Sequence, residues 1–129
     1  MAAYPKVRVA QGQLATTAVN TGTVIVPAVA GRTLTVVDGW LRAIGGAAAT
    51  ATSVDVESTA DTPTLAFKIA VGGLTQNAVA RVGLATHSTN TGVGTALDED
   101  EGIQITSTTN NLATATHIDY CVFYTVSPS

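Results

Sequence analysis

Hydrophobic and polar residues alternate with a period of two through much of the chain, which predicts β-strands with one face in a core. In the segment TLAFKIAV, we expect Leu65, Phe67, Ile69 and Val71 to share the inner face. In the segment HIDYCVFYTV, residues 117–126, both faces carry apolar side chains. This second pattern indicates a central strand that is covered on much of both sides.

Eight such segments are separated by turn residues and by loops rich in Thr, Asn and Gly. Besides residues 64–71 and 117–126, strands are predicted over 6–11, 23–27, 32–44, 53–58, 77–85 and 102–108. No window carries the apolar stripe of a helix, and the segment GGAAATATS is interpreted as a mobile loop. Pro27 ends the second strand, and the turn residues in PAVAGR predict a hairpin into the third.

Eight short strands in 129 residues predict an all-β fold, a two-sheet antiparallel β-sandwich for which the jelly roll is the expected type. An immunoglobulin-like sandwich is the alternative, although the Cys, Trp, Cys spacing of a true immunoglobulin domain is absent. We assign residues 20–129 to the sandwich. Residues 1–19 are either an arm that adds a strand to a neighbouring sheet or the first strand of the sandwich itself.

Composition and charge argue against several classes of partner. The net charge is −3, and the six basic residues are scattered along the chain, so we expect no nucleic-acid partner. No apolar run is long enough for a membrane span, and the first twenty residues do not have the pattern of a secretory signal. The single cysteine cannot form an internal disulfide. These features predict assembly in a reducing cytoplasm without a membrane partner.

The stretch LDEDEGIQI contains four consecutive carboxylates, Asp98 to Glu101, which we call the acidic turn. Calcium loops place their oxygen ligands at alternate positions, so only two of these four side chains, Asp98 and Asp100, are candidate metal ligands. Like charges repel one another and prefer water. We therefore predict a solvated turn that holds no metal and is dispensable for folding.

Other side chains that carry chemistry in enzymes occur here without the spacing that enzymes need. Asp55 and Glu57 share a strand face, but this arises in any strand whose alternate residues are apolar. His87 and His117 lack the neighbours of a zinc site, and Cys121 lies in an apolar strand without positive charge nearby. We therefore expect no catalysis and no cofactor.

Candidate interface residues follow from charge and strand pattern instead. The N-terminal segment contains the only closely spaced basic residues, within a short strand pattern, so Lys6, Val7, Arg8 and Val9 are candidates. Trp40 is a fifth, because the alternation of VVDGWLRAIGG breaks at Gly39 and a bulge there would redirect the ring. With 46% hydrophobic and 12% charged residues, the chain has more apolar surface than one small sandwich hides. We therefore predict a homo-oligomer, with a trimer as the expected form.

The tracts TGTVIVPAVAGRTLTVVDGWLRAIGG, SVDVES and DYCVFYTVS resemble small virion proteins of tailed bacteriophages, in particular capsid decoration or cement proteins. The resemblance covers strand and turn order, Thr/Ala/Gly-rich loops and low charge. It implies a β-sandwich, commonly trimeric, that binds the outside of the major capsid protein shell and resists internal pressure. It implies a virion location after assembly in the host cytoplasm, and it assigns no individual functional residue.

A host-recognition module, such as a fibre or spike tip that binds a surface glycan, is the alternative function. It would share the sandwich, the oligomeric state and the lack of catalysis. Its usual marker is an exposed aromatic platform, and aromatic residues make up only 5% of this chain. The pattern therefore favours decoration of a capsid over glycan binding.

Overall fold

The computed structural model describes residues 6–83 and 87–127. Within these residues, eleven strands, one α-helix of six residues and one 3-10 turn follow one another along the chain. In order they are β1 (Arg8–Ala15), α1 (Thr16–Thr21), β2 (Thr23–Val26), β3 (Leu34–Ile44), β4 (Ala48–Ala49), β5 (Ser53–Ser58), β6 (Leu65–Ala70), the 3-10 turn (Val71–Gly73), β7 (Val79–Arg81), β8 (Ser88–Thr89), β9 (Ile103–Thr108), β10 (Ala113–Thr114) and β11 (His117–Val126).

The strands form two large antiparallel sheets, and the predicted all-β sandwich is confirmed. Sheet A has the order β1-β11-β3-β7, and sheet B has the order β2-β9-β5-β6-β8. All eight predicted strands are present, with ends that differ by a few residues in the described part of the chain; residues 84 and 85 of the predicted strand 77–85 lie outside the described residues. The three strands that the pattern did not predict, β4, β8 and β10, have two residues each.

The eight longer strands pair in a nested order. β1 pairs with β11, β2 with β9, β3 with β7, and β5 with β6. The chain is therefore one long antiparallel hairpin that is rolled so that successive nested pairs alternate between the two sheets. This arrangement is the predicted jelly roll.

The core lies between the sheets and consists of the inward side of each strand. Its largest fully buried side chains are Phe67, Leu34, Leu41, Ile69, Leu74, Ile103, Ile105 and Ile118. Phe67 and Ile69 are buried as the alternation predicted, but Leu65 is only half-buried. The reason is a register shift in the β5–β6 pair, which inserts Ala66 as an extra residue and changes the orientation of the residues before it.

The predicted hairpin between the second and third strands is wrong. β2 pairs with β9 in sheet B, whereas β3 pairs with β11 and β7 in sheet A. The segment between them crosses from one sheet to the other, with Gly31 at φ +73° in its turn. The turn residues indicated correctly that the chain changes direction, but turn chemistry does not specify which sheet the next strand joins.

The expectation of no helix is also wrong, because α1 follows β1 directly. Val19 in α1 is fully buried, and the Asn20 side-chain oxygen accepts hydrogen bonds from Leu112 N at 2.8 Å and Ser107 Oγ at 3.2 Å. Helix α1 spans the expected boundary between residues 1–19 and 20–129, and β1 pairs within the sandwich along its whole length. Tertiary contacts stabilise this helix, which is too short to show an apolar stripe in sequence.

The alanine-rich segment GGAAATATS is partly ordered. It contains β4, which pairs with β10, and Ala48 N donates a hydrogen bond to Leu74 O at 2.9 Å. Gly46 has φ +159°, and a Cβ atom there would lie 2.9 Å from Thr114 O. In the described part of the chain, no helix is long and apolar enough to span a membrane.

Candidate docking surface

The solvent side of sheet A, here called the outer face, carries an unusual share of apolar side chains. The strand register places these residues on it: Val9, Gln11 and Gln13 on β1; Asp119, Cys121 and Phe123 on β11; Asp38, Trp40 and Arg42 on β3; Val79 and Arg81 on β7. Residues of the opposite parity, such as Leu41 and Val122, are fully buried in the core.

An apolar stripe crosses this face diagonally over all four strands. It consists of Val9, Phe123, Cys121, Trp40 and Val79. Val9 lies opposite Phe123, and Cys121 lies opposite Trp40. Val79 is a diagonal neighbour of Trp40, because it pairs with the residue two positions further along β3. Val9 and Val79 are 46% and 47% exposed, so the stripe is open to solvent at both ends.

A polar row borders the stripe on one side. Gln13 Nε2 donates a hydrogen bond to Asp119 Oδ1 at 2.7 Å, and Arg42 Nη2 donates to Asp119 Oδ2 at 2.6 Å. Burial alone would raise the pKa of Asp119, but the hydrogen bonds from Arg42 and Gln13 and the charge of Arg42 outweigh it and lower the pKa. Asp119 is therefore ionised at neutral pH and is neutralised within the chain.

Two further contacts involve charged side chains beside the stripe. The Arg42 guanidinium carbon lies 5.7 Å from the centroid of the Trp40 ring, within the range of a cation–π contact. Arg81 and Asp38 form an ion pair at 3.7 Å between two largely exposed side chains, and such pairs contribute little to stability. The two Arg and two Asp side chains of the outer face thus form two internal pairs. A partner that docks here meets an apolar surface with neutral borders.

A bulge and a glycine place Trp40 on this face. The register of β3 against β11 shifts so that Val37 is an extra residue, close to the predicted break in the alternation. Gly39 points inwards, where a Cβ atom would lie 3.0 Å from both the Phe67 ring and Cys121 O. Because successive side chains of a strand point to opposite faces, the inward position of Gly39 places its neighbour Trp40 outwards, where its side chain is half-buried.

Cys121 lies in the middle of the stripe and is buried, between Gln11 on β1 and Trp40 on β3. Burial raises the pKa of its thiol, and the negative charge of Asp38 raises it further. A thiol with a raised pKa stays protonated at neutral pH and is a poor nucleophile. Its position indicates a small packing residue of the outer face.

The predicted interface residues are only partly brought together. Val9 and Trp40 both lie on the stripe, and Val7, which is 54% exposed, comes directly before β1. Arg8 is exposed on the opposite side of β1, and Lys6 is exposed ahead of the strand. Sequence reasoning missed Phe123 and Val79 as interface residues. Phe123 was detectable, since it belongs to the second apolar face of residues 117–126.

The acidic turn is solvated in part, because Glu99 and Asp100 are exposed whereas Asp98 and Glu101 are partly buried. Asp98 Oδ2 accepts a hydrogen bond from Ser58 Oγ at 2.6 Å, Glu101 accepts one from the Thr59 hydroxyl, and Asp100 accepts one from Gly31 N. The candidate ligands Asp98 and Asp100 are therefore hydrogen-bonded to two different parts of the sandwich, the end of β5 and the segment between β2 and β3. Hydrogen bonds from Ser58 and Thr64 lower the pKa of Asp98. The expectation of a solvated turn therefore holds for Glu99 and Asp100, whereas Asp98 and Glu101 are partly exposed and hydrogen-bonded within the chain.

The solvent side of sheet B differs from the apolar stripe of sheet A, because hydroxyl and carboxyl groups dominate it. Asp55 accepts hydrogen bonds from Ser53 Oγ at 2.6 Å and from Thr108 Oγ1 at 2.5 Å. Glu57 accepts one from Gln104 Nε2 at 2.9 Å. Asp55 and Glu57 thus share a face as the alternation predicted, and both have partners within the sheet.

Neither a pocket nor a group of three or more candidate metal ligands occurs within residues 6–83 and 87–127. The stripe is therefore the main candidate site on the described surface. In comparisons with protein-family models, curated proteins and solved structures, nothing matches this chain.

Proposed function

We propose that the protein is a non-catalytic structural component of a phage virion that decorates and stabilises the outside of the capsid as a homo-oligomer. The observation that carries the proposal is the apolar stripe on the outer face of sheet A. It crosses all four strands, and internally paired charges border it. A surface of this kind suits docking to another protein, because apolar area is removed from water without leaving an unpaired charge.

The fold is compatible with this role but also occurs in proteins with other functions. Jelly rolls occur in viral capsid proteins and also in lectins, so the function must be argued from the surface. Trp40 has the properties of a binding hot spot, because large aromatic residues near the centre of an interface contribute most to affinity. The resemblance of the sequence to decoration proteins supplies the identity of the proposed partner, the major capsid protein shell.

The test uses two valines of similar exposure on different sheets. We expect Trp40→Ala and Val79→Glu to reduce binding to empty expanded capsids of the phage that encodes the chain, by about tenfold or more for Trp40. Val24→Glu is the matched control, since Val24 is 54% exposed and lies on β2 in sheet B. Co-sedimentation measures capsid occupancy, and circular dichroism confirms that each variant is folded. Equal loss of binding by Val79→Glu and Val24→Glu would contradict the proposal.

Salt dependence gives a second readout of the same surface. Because the charges of the outer face are paired within the chain, we expect capsid binding to persist at about 1 M salt, where the Debye length is only about 3 Å. Dissociation of the complex between low and high salt would show that attachment depends on ion pairs with the shell, which the stripe does not provide.

Glycan binding is the second candidate, and the half-buried Trp40 ring favours it. Gln11 lies nearby across β11, and Arg81 lies opposite Trp40 on β7, so polar groups that can bind sugar hydroxyls surround an aromatic ring. A glycan array with the wild-type protein and with Trp40→Ala tests this function. Binding that the substitution abolishes would replace the capsid proposal with host recognition.

A further inference from the structure

Strand β1 is an edge of sheet A, and none of the described strands pairs with its other side. It is eight residues long, and it pairs with β11 from Arg8 to Ala15 without a register shift. It contains no proline, and its only charged residue is Arg8 at its first position. Natural edge strands are usually protected by short length, bulges, proline or charged side chains. Of these protections β1 has only the charge of Arg8, at its first position.

The other described edges are protected. β2 has four residues and an irregular register against β9, β7 has three residues, and β8 has two. The main-chain N–H and C=O groups along β1 can be satisfied by water or by another extended strand. Among the described edges, the only one long enough to match β1 over its length is β1 of a second copy.

Incompletely covered core residues lie beside the same edge. Ala10, Leu14, Tyr120 and Tyr124 pack against the core but are only partly buried. Two of them are on β1, and the two tyrosines lie on β11 opposite Gly12 and Arg8. A second chain alongside β1 would cover this apolar border.

We propose that β1 pairs antiparallel with β1 of a second copy, so that two copies of sheet A form one eight-stranded sheet across a two-fold axis. The inference deepens the proposed self-association by naming its contact. With a trimer, the same two-fold contact would give a hexamer. Side chains that oppose each other across antiparallel strands share one face, which restricts the register. Registers centred on Gln11 (residues 8–14) and on Gly12 (residues 9–15) overlap equally, but the second places two glycines opposite each other without side chains to pair. The register centred on Gln11 is therefore favoured, and it places Arg8 opposite the second copy's Leu14, so like charges do not meet.

Cysteine cross-linking tests this register directly. Directly opposed residues in antiparallel strands are about 4.5–5.5 Å apart between Cα atoms, a spacing that a disulfide tolerates. Gln11→Cys is made together with Cys121→Ala, because Cys121 lies opposite Gln11 in the same sheet and would compete. Under mild oxidation, we expect the 13.0 kDa chain to shift to a band of twice that mass. The control Val24→Cys with Cys121→Ala places an exposed thiol on β2 and should stay monomeric under denaturing conditions.

Two charge substitutions at Gln11, made in a chain that retains Cys121, test the same contact without a covalent bond. Gln11→Lys alone and Gln11→Glu alone place like charges opposite each other, and we expect each to weaken self-association by up to about fivefold. An equal mixture of the two should restore it, as measured by light scattering. Cross-linking that is absent for Gln11→Cys, or equal for the Val24→Cys control, would overturn the edge contact. Capsid binding by the Trp40 and Val79 variants is measured separately, so failure here is distinguishable from failure of the proposed function.

Discussion

Folding shifts the pKa values of the Asp98 and Glu57 carboxyl groups in opposite directions. Hydrogen bonds from Ser58 and Thr64 lower the pKa of Asp98. Burial raises the pKa of Glu57, the hydrogen bond from Gln104 opposes this shift, and the charge of Asp55 adds to it. The ionised form of Asp98 therefore stabilises the fold, whereas the ionised form of Glu57 destabilises it.

We predict that Asp98→Asn lowers the melting temperature at neutral pH, because the amide loses the charge-assisted hydrogen bonds that the carboxylate accepts. A depressed pKa contributes stability above the unfolded value of 3.8 that is lost as pH falls through the folded pKa. The difference between Asp98→Asn and the wild type should therefore shrink below about pH 4. Thermal unfolding followed by circular dichroism over this pH range measures it.

Glu99→Gln is the matched control, since Glu99 is exposed in the same turn and accepts no hydrogen bond from the described residues. It should leave the melting temperature nearly unchanged. Similar melting temperatures for Asp98→Asn and Glu99→Gln at neutral pH would contradict a stabilising role for Asp98 and would support the prediction that the acidic turn is dispensable for folding.

We predict that Glu57→Gln raises the melting temperature at neutral pH, because the amide removes a partly buried charge beside Asp55. A raised pKa means that the native state binds more protons than the unfolded state, so stability is lost as pH rises through the shifted pKa. The gain should accordingly disappear near pH 4, about where an unperturbed Glu is protonated. A gain that persists unchanged at that pH, or that Glu99→Gln reproduces, would contradict this explanation.

Strand β3 depends on Gly39 for its contact with the other sheet. We predict that Gly39→Ala lowers the free energy of unfolding by about 1–3 kcal/mol, the usual cost of overpacking a core. The new Cβ atom would lie 3.0 Å from the Phe67 ring and from a main-chain oxygen, neither of which can move easily. Denaturant unfolding measures the difference.

Gly12→Ala in β1 is the comparison for this prediction. Its Cβ atom would also lie 3.0 Å from a neighbour, but that neighbour is the hydroxyl end of Tyr120, which can rotate away. We therefore expect a clearly smaller loss of stability than for Gly39→Ala. Equal losses would show that the Phe67 contact is not what requires glycine at position 39.

The longer strands were predictable because apolar and polar residues alternate along a half-buried strand, which gives its sequence a period of two. Helix α1 and the two-residue strands were not, because so few residues carry no period and tertiary contacts such as those of Asn20 fix their structure. The hairpin into β3 failed for a different reason. The choice of sheet depends on pairing with β9 and β11, which lie far away in sequence.

The candidate site was predictable in part. Trp40 and Val9 were identified from a broken alternation and from their position in the chain, and both lie on the stripe. Val79 was not identifiable, because its membership of the stripe depends on the register of β7 against β3. The hydrogen-bond partners of the acidic turn were hidden for the same reason, since Ser58 and Gly31 are about 40 and 69 residues away from their acceptors.

Self-association should be visible in the dependence of the melting temperature on protein concentration. Association through the native fold makes the melting temperature rise with protein concentration, because binding shifts the folding equilibrium by mass action. We predict such a rise for the wild type and a weaker one for Gln11→Lys. A melting temperature independent of concentration, together with a mass of 13.0 kDa by light scattering at micromolar concentration, would contradict self-association.

We expect the outer face of sheet A to be the surface by which the protein docks on a protein shell. A cryo-electron microscopy reconstruction of the capsid with the protein bound would show this contact, because the sandwich can be fitted into the density as a rigid body. We predict that Trp40, Phe123 and Val79 lie at the contact with the shell. A reconstruction in which these side chains face solvent while sheet B contacts the capsid would contradict it.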